Sequence, residues 1–188
     1  MTLTPLAIGA LALLNERPMH PYEMYQTLVE RHEDRLIKVR PGSLYHAVER
    51  LEAAEFVKAT GTEREGNRPE RTTYAITKAG NKALKARITE VLSNPVNDFP
   101  VFPVALSEAH NLPAKNVIGC LKTYLMGIEQ EIAEVGAVLD AARSQNIPEA
   151  YWIAGDYLLT VMGAKRDWII TCIERTDNKE LIWQPHKA

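Results

Sequence analysis

Cysteine is almost absent from this chain of 188 residues: Cys120 and Cys172 are its two, 52 positions apart and with no histidine pair nearby. That spacing fits neither a zinc site nor a disulfide framework, so a reducing cytoplasm is the expected compartment. The five histidines, at 20, 32, 46, 110 and 186, are scattered, and no metal is expected. HExxH, a Gly-rich phosphate loop, a nucleophile elbow and a clustered carboxylate pair are all missing, which argues against an enzyme and gives no cofactor to expect. Long hydrophobic runs are missing too. PLAIGALALL near the start covers only about ten residues, against the ~20 that cross a bilayer. It lacks a basic lead-in and is followed by Asn15-Glu16-Arg17 rather than a small-residue cleavage site, so neither a membrane span nor a secretion signal is expected.

Net charge is also scarce, at -2, but it is unevenly placed. Residues 1–88 hold 14 Lys+Arg against 11 Asp+Glu, whereas the remainder holds 8 against 13. The two halves are therefore expected to have different partners, and the basic half is modest enough that the arrangement of its charges must decide what it meets. An apolar content of 46% is sufficient for a real core in one domain or two small ones.

Helical spacing dominates what is present. Leu3, Leu6, Ala7, Ala10 and Leu14 mark a first, largely buried helix, which NERPMHP ends. Tyr22, Met24, Tyr25, Leu28 and Val29 support a second, with Pro21 suited to its first turn. In RPGSLYHAVERLEAAEF, Leu44, Ala47, Val48 and Leu51 fall on one side of a short third helix behind Pro41. The period then changes: a short run from Phe56 and the segment RTTYAIT predict two strands joined by a basic loop. Thr77 is placed to cap a fourth helix, and NPVNDFPVFP breaks it. This break divides the chain into an expected first domain over 1–94 and a second over 95–188.

In the second domain Leu121, Leu125, Ile128, Ile132, Val135 and Leu139 step by 4, 3, 4, 3 and 4, the seam of a helix lying lengthwise against another. A last helix from about Glu149 to Arg175 has a wide apolar face, enough for an intrachain and an interchain contact. Its Tyr151, Trp152, Tyr157 and Trp168 leave two readings: anchors of a core or interface, or a site for a small aromatic ligand.

Three short helices followed by a two-stranded ribbon form the order of a winged helix-turn-helix, which offers its third helix to the DNA major groove. On that helix Ser43, His46 and Arg50 lie away from the apolar stripe, and Tyr45 and Glu49 continue the outer face. Arg50 can fork onto guanine or phosphate, His46 can donate or accept, and Ser43 stands near exposed helix N–H groups. Lys38 and Arg40 precede the helix, while Arg64, Arg68 and Arg71 crowd the strand connection. Together they make a basic rim, diluted by Glu63, Glu65 and Glu70. A solvated face is the plain alternative for such a helix, and a protein-docking module that touches no DNA is a second. Catalysis by Ser43 and His46 lacks an orienting third group and an oxyanion site.

RPMHPYEMYQTL, RPGSLYHAVERLEAAEFV, GNRPERTTYAIT and TKAGNKAL, in that order over roughly residues 5–90, resemble the PadR family of bacterial transcriptional regulators. The resemblance implies a mainly α protein: a winged helix-turn-helix domain followed by an α-helical dimerisation domain, of the long C-terminal type. It implies a homodimeric repressor that binds double-stranded DNA and no membrane, and it allows a small aromatic effector. Carried over by residue, it places Ser43, Tyr45 and His46 toward DNA, Arg50 in the following turn, and Asn67, Arg68 and Arg71 at the wing tip. The family commonly has glycine where Pro21 stands and proline where His46 stands.

Overall fold

A computed structural model describes residues 2–63, 71–95 and 99–183. The chain forms two compact units, Met1–Asn97 and Asp98–Ala188.

The first unit starts with α1 (Pro5–Glu16), whose Thr4 cap accepts the Ala7 N–H at 3.3 Å and whose leucines 11, 13 and 14 are buried. Pro21 opens α2 (Pro21–Glu30) at a position where the missing N–H costs nothing. A single 3-10 turn, Glu33–Arg35, lies in the connection that the sequence reads only as a linker. Helix α3 (Pro41–Ala53) is held by one stripe, Leu44, Ala47, Val48 and Leu51, all within 2% exposure. It stops at Glu55, which adopts φ 60° while the Phe56 N–H returns to Leu51 O at 2.9 Å. That reversal usually uses glycine, so the glutamate accepts backbone strain to turn the chain into the sheet.

Strands β1 (Val57–Glu63) and β2 (Arg71–Ile76) are antiparallel, in register from Val57↔Ile76 to Glu63↔Arg71, with an irregularity between Ala59 and Gly61. A bridge between Met19 and Tyr74 ties the turn before α2 to β2. The hydroxyl of Thr77 accepts the Gly80 N–H at 3.0 Å and donates to Glu55 O at 2.8 Å, which starts α4 (Lys78–Ser93) against the end of α3. Leu84 of α4 joins the core formed by α1, α2, α3 and Val57.

The second unit contains α5 (Val101–Ser107), α6 (Ala114–Ser144) and α7 (Ile153–Asp177). Helix α5 forms inside the segment read from sequence as a break; Pro103 stands in its first turn, where no intrahelical N–H is required. The last helix is likewise shorter than the periodicity suggests, since a 3-10 turn, Glu149–Tyr151, and the non-helical Trp152 precede it. The predicted seam on α6 is real within the chain: Leu121, Ile128, Val135 and Leu139 are buried, and the cluster around the first two includes Ile169, Cys172 and Ile173 of α7. Phe102 stacks on Tyr124 at 4.4 Å, and the Lys165 ammonium covers both rings. The last described residues fold back, with Trp183 donating to Thr176 at 3.1 Å.

Gly80 is the most tightly enclosed of the described glycines of the first unit, because a Cβ there would stand 2.0 Å from the Phe56 carbonyl oxygen, which is backbone. Gly80→Ala is expected to cost about 1–3 kcal/mol or more of unfolding free energy. Urea denaturation checks this; an unchanged midpoint would show that α4 can shift away from the Phe56 backbone freely.

Candidate nucleic-acid interface

The buried stripe of α3 faces α1 and α2 and so determines what points outward. His46 and Glu49 occupy the middle of the outer face, where the His46 Nδ1 stands 3.1 Å from a Glu49 carboxylate oxygen. Both side chains are largely exposed, at 74% and 66%, so the pair contributes little stability and is available to a partner. Glu49 is one functional candidate that sequence reasoning left out of the site. Its signal was present in the helical wheel, and a carboxylate there can accept from a cytosine amino group.

One flank of that face adjoins α1. Ser43, His46, Glu49 and Arg50 line an open depression whose far wall is Leu6, so the three polar groups grouped from sequence do share one surface. Arg50 anchors itself by donating Nε–H to the His46 carbonyl at 3.2 Å. Its two terminal amino groups have no partner among the described residues and remain a free fork.

The other flank adjoins α2 and β2. The Tyr45 and His20 rings meet edge to face at 5.7 Å. Tyr74 donates its hydroxyl to Glu52 at 3.4 Å; burial, reinforced by Glu52, raises its pKa and keeps it a donor. This contact pins the end of α3 to the sheet.

Around the helix, Lys38, Arg40 and Arg71 are exposed and have no ion-pair partner among the described residues. Arg40 is the extended residue before α3, and its side chain does not cap the helix, so the first N–H groups of α3 stay open to an acceptor. Gly42, in the first turn, has no atom within 4 Å of where a Cβ would be, which leaves room for close approach. Arg64, Asn67 and Arg68, the other wing residues named from sequence, lie outside the described residues.

The aromatic residues of the second unit separate. Tyr151, Tyr157 and Trp168 are 82%, 66% and 48% exposed. Trp152 is instead held locally, donating Nε1–H to Ile147 O at 3.0 Å beneath the Arg143 guanidinium. Among the described residues no helix is long and apolar enough to cross a membrane, and no cluster of three or more His, Cys, Asp or Glu could hold a metal.

Residues 10–86 match the family described as transcriptional regulator PadR-like. No curated protein matches the chain. Its fold is similar to that of PadR from Bacillus subtilis in complex with operator DNA, with a TM-score of 0.76 at 13% identity, over 91% of this chain and 97% of that one. PadR from Bacillus subtilis in complex with p-coumaric acid gives 0.74 at 12% identity, over 92% and 98%. The PadR-like transcriptional regulator BC1756 from Bacillus cereus gives 0.63 at 17% identity, over 90% and 94%.

His20, absent from the sequence candidates, links these features. It caps α2 by accepting the Tyr22 N–H on Nδ1 at 3.1 Å, a role more often given to Ser, Thr or Asp. Burial, and then the charge of Arg71, lower its pKa below the ordinary 6.5, with Glu23 opposing. A histidine whose folded pKa is depressed contributes stability that is complete above its unfolded value and is lost as pH falls through the folded one. The wild type should therefore lose stability from about pH 6.5 downward, whereas His20→Asn, which caps without titrating, should show a flatter profile across that window. Thermal melts at half-unit pH steps check this, and parallel profiles would remove His20 as the cause.

Proposed function

We propose that this chain, which belongs to the PadR-like family of transcriptional regulators, binds double-stranded DNA sequence-specifically and acts as a homodimeric repressor on a pseudo-palindromic operator. The observation that carries this reading is the division of α3. One stripe is fully buried, and the opposite face presents Ser43, His46, Glu49 and the free fork of Arg50 between unpaired cations. Base edges in the major groove offer the donors and acceptors those groups match, and Lys38, Arg40 and Arg71 suit the flanking phosphates. The Bacillus subtilis relative seen with operator DNA supports the same use of the fold. A cytoplasmic location accompanies it.

The homodimer is supported by α7. Ile153, Tyr157, Val161 and Trp168 recur at helical spacing along one exposed face, about 22 Å of apolar surface that nothing among the described residues covers. A second copy would cover it symmetrically and place two α3 helices on half-sites about one helical turn, or a multiple of it, apart. Tyr151, Tyr157 and Trp168 also suit a small aromatic effector that releases the DNA, and the relative solved with p-coumaric acid supports that chemistry.

Anisotropy titrations on the DNA upstream of the chain's own coding sequence test the reading. Arg50→Ala should weaken that duplex by about 1–3 kcal/mol and random DNA much less, whereas Arg40→Ala should weaken both alike and lower the salt slope by about 1. Equal losses would mean that α3 reads no bases, and salt-insensitive or absent binding by the wild type would favour a protein-docking role. For the dimer, Val161→Glu puts a charge on the outer face of α7 without touching the seam to α6. It should yield a folded monomer by sedimentation, and a stable dimer would move the interface elsewhere.

A further inference from the structure

We infer that His20, Tyr45 and Arg71 together hold a single phosphate of the DNA backbone, an assignment that rests on the DNA-binding reading above. The groups come from three elements: the cap of α2, the flank of α3 and the first residue of β2. Capping consumes His20 Nδ1, so the neutral ring carries its proton on Nε2, on the opposite side of the imidazole. No group among the described residues accepts from that Nε2–H. Tyr45, in edge contact with the same ring and 38% exposed, has a hydroxyl equally without a partner among the described residues. Arg71 is exposed, unpaired among them, and close enough for its charge to act on His20. The neighbouring acid is already engaged, since Glu23 forms an ion pair with Arg17 at 2.5 Å.

The site is therefore rich in donors, and its neighbouring carboxylate is already paired with Arg17. A base edge mixes donors and acceptors, but a phosphate offers acceptors alone and a negative charge, which is what an N–H, an O–H and a guanidinium together fit. Capping alone does not explain the ring, because asparagine or aspartate would satisfy the Tyr22 N–H at least as well. The imidazole adds a second donor facing away from the helix, and its contact with Tyr45 fixes that donor relative to α3. Held in this way, the phosphate would set the register at which α3 enters the groove.

The experiment uses the full chain, the duplex upstream of its own coding sequence, and pH 8, where the imidazole is neutral. Single methylphosphonates, which remove one backbone charge, are walked along each half-site. The wild type should lose about tenfold in affinity at one position of each half-site, the scale of a hydrogen bond to a charged group. His20→Asn, which retains the cap and should melt like the wild type, should lose about tenfold on the unmodified duplex and nothing more at that position. His20→Asp, also a competent cap, should bind more weakly still because its charge opposes the phosphate. The inference is overturned if either folded variant binds unmodified duplex within twofold of the wild type, or if His20→Asn stays as sensitive as the wild type at every methylphosphonate position. A wild type that binds no duplex would overturn the DNA-binding reading itself.

Discussion

Met19 and Tyr74 exchange both of their backbone hydrogen bonds, each at 3.0 Å, and the surface of the first unit is arranged around that exchange. The Met19 side chain is 1% exposed in the helical core, while the Tyr74 side chain reaches Glu52 near the end of α3. The residue after Met19 is the cap of α2, and the strand that holds Tyr74 begins with Arg71. One pair of strand-like bonds thus places the start of the second helix, the end of the third and the base of the wing in a single frame. Each bond contributes only about 1 kcal/mol net, but leaving a buried amide unpaired costs more than making the bond gains. The frame is therefore costly to break.

The two units are completed in different ways. In the first, the apolar stripes of α1, α2 and α3 close on one another, and Leu44, Val48, Leu51, Met24 and Leu28 are all fully buried. In the second, α6 and α7 close one seam, at which Gly155 lets Leu139 approach to within 2.8 Å of a would-be Cβ, while the other side of α7 stays apolar and open. An interior built from two long helices has little depth, so a wide apolar face cannot be consumed by one neighbour. The first unit has its unspent chemistry in hydrogen-bond donors; the second has it in hydrophobic area.

Much of this was legible in the sequence wherever one force acted alone. The stripe Leu44, Ala47, Val48 and Leu51, the cap at Thr77 and the α6 seam each follow from burial or capping at fixed spacing, and the structure shows all three. Helix α5 was hidden because proline was read as a breaker, although in a first turn it is neutral. The residues that sequence reasoning overlooked are those whose role depends on tertiary contact. His20 lies in a proline-rich turn with no period to flag it; it becomes a site residue only because the Met19–Tyr74 bridge sets it against Tyr45 and near Arg71. Glu49 was visible on the wheel as a continuation of the outer face, but the weighing of groups there kept only Ser43, Tyr45, His46 and Arg50 as site residues.

That weighing leads to the molecule's electrostatic economy. On the outer face of α3, His46 is paired with Glu49, and Glu52 takes the Tyr74 hydroxyl, so Arg50 is the one unpaired cation of that helix among the described residues. Attraction to phosphate must come from the flanks. Among the described residues, three contacts from Lys38, Arg40 and Arg71 would contribute a salt slope of roughly -3 in log units. Doubling the face roughly doubles the slope and makes the second engagement intramolecular. In the proposed dimer, the sparsely charged outer face of α3 and the uncovered apolar stripe on α7 would act together: the first gives a single copy few cations among the described residues, and the second is the surface through which two copies would join.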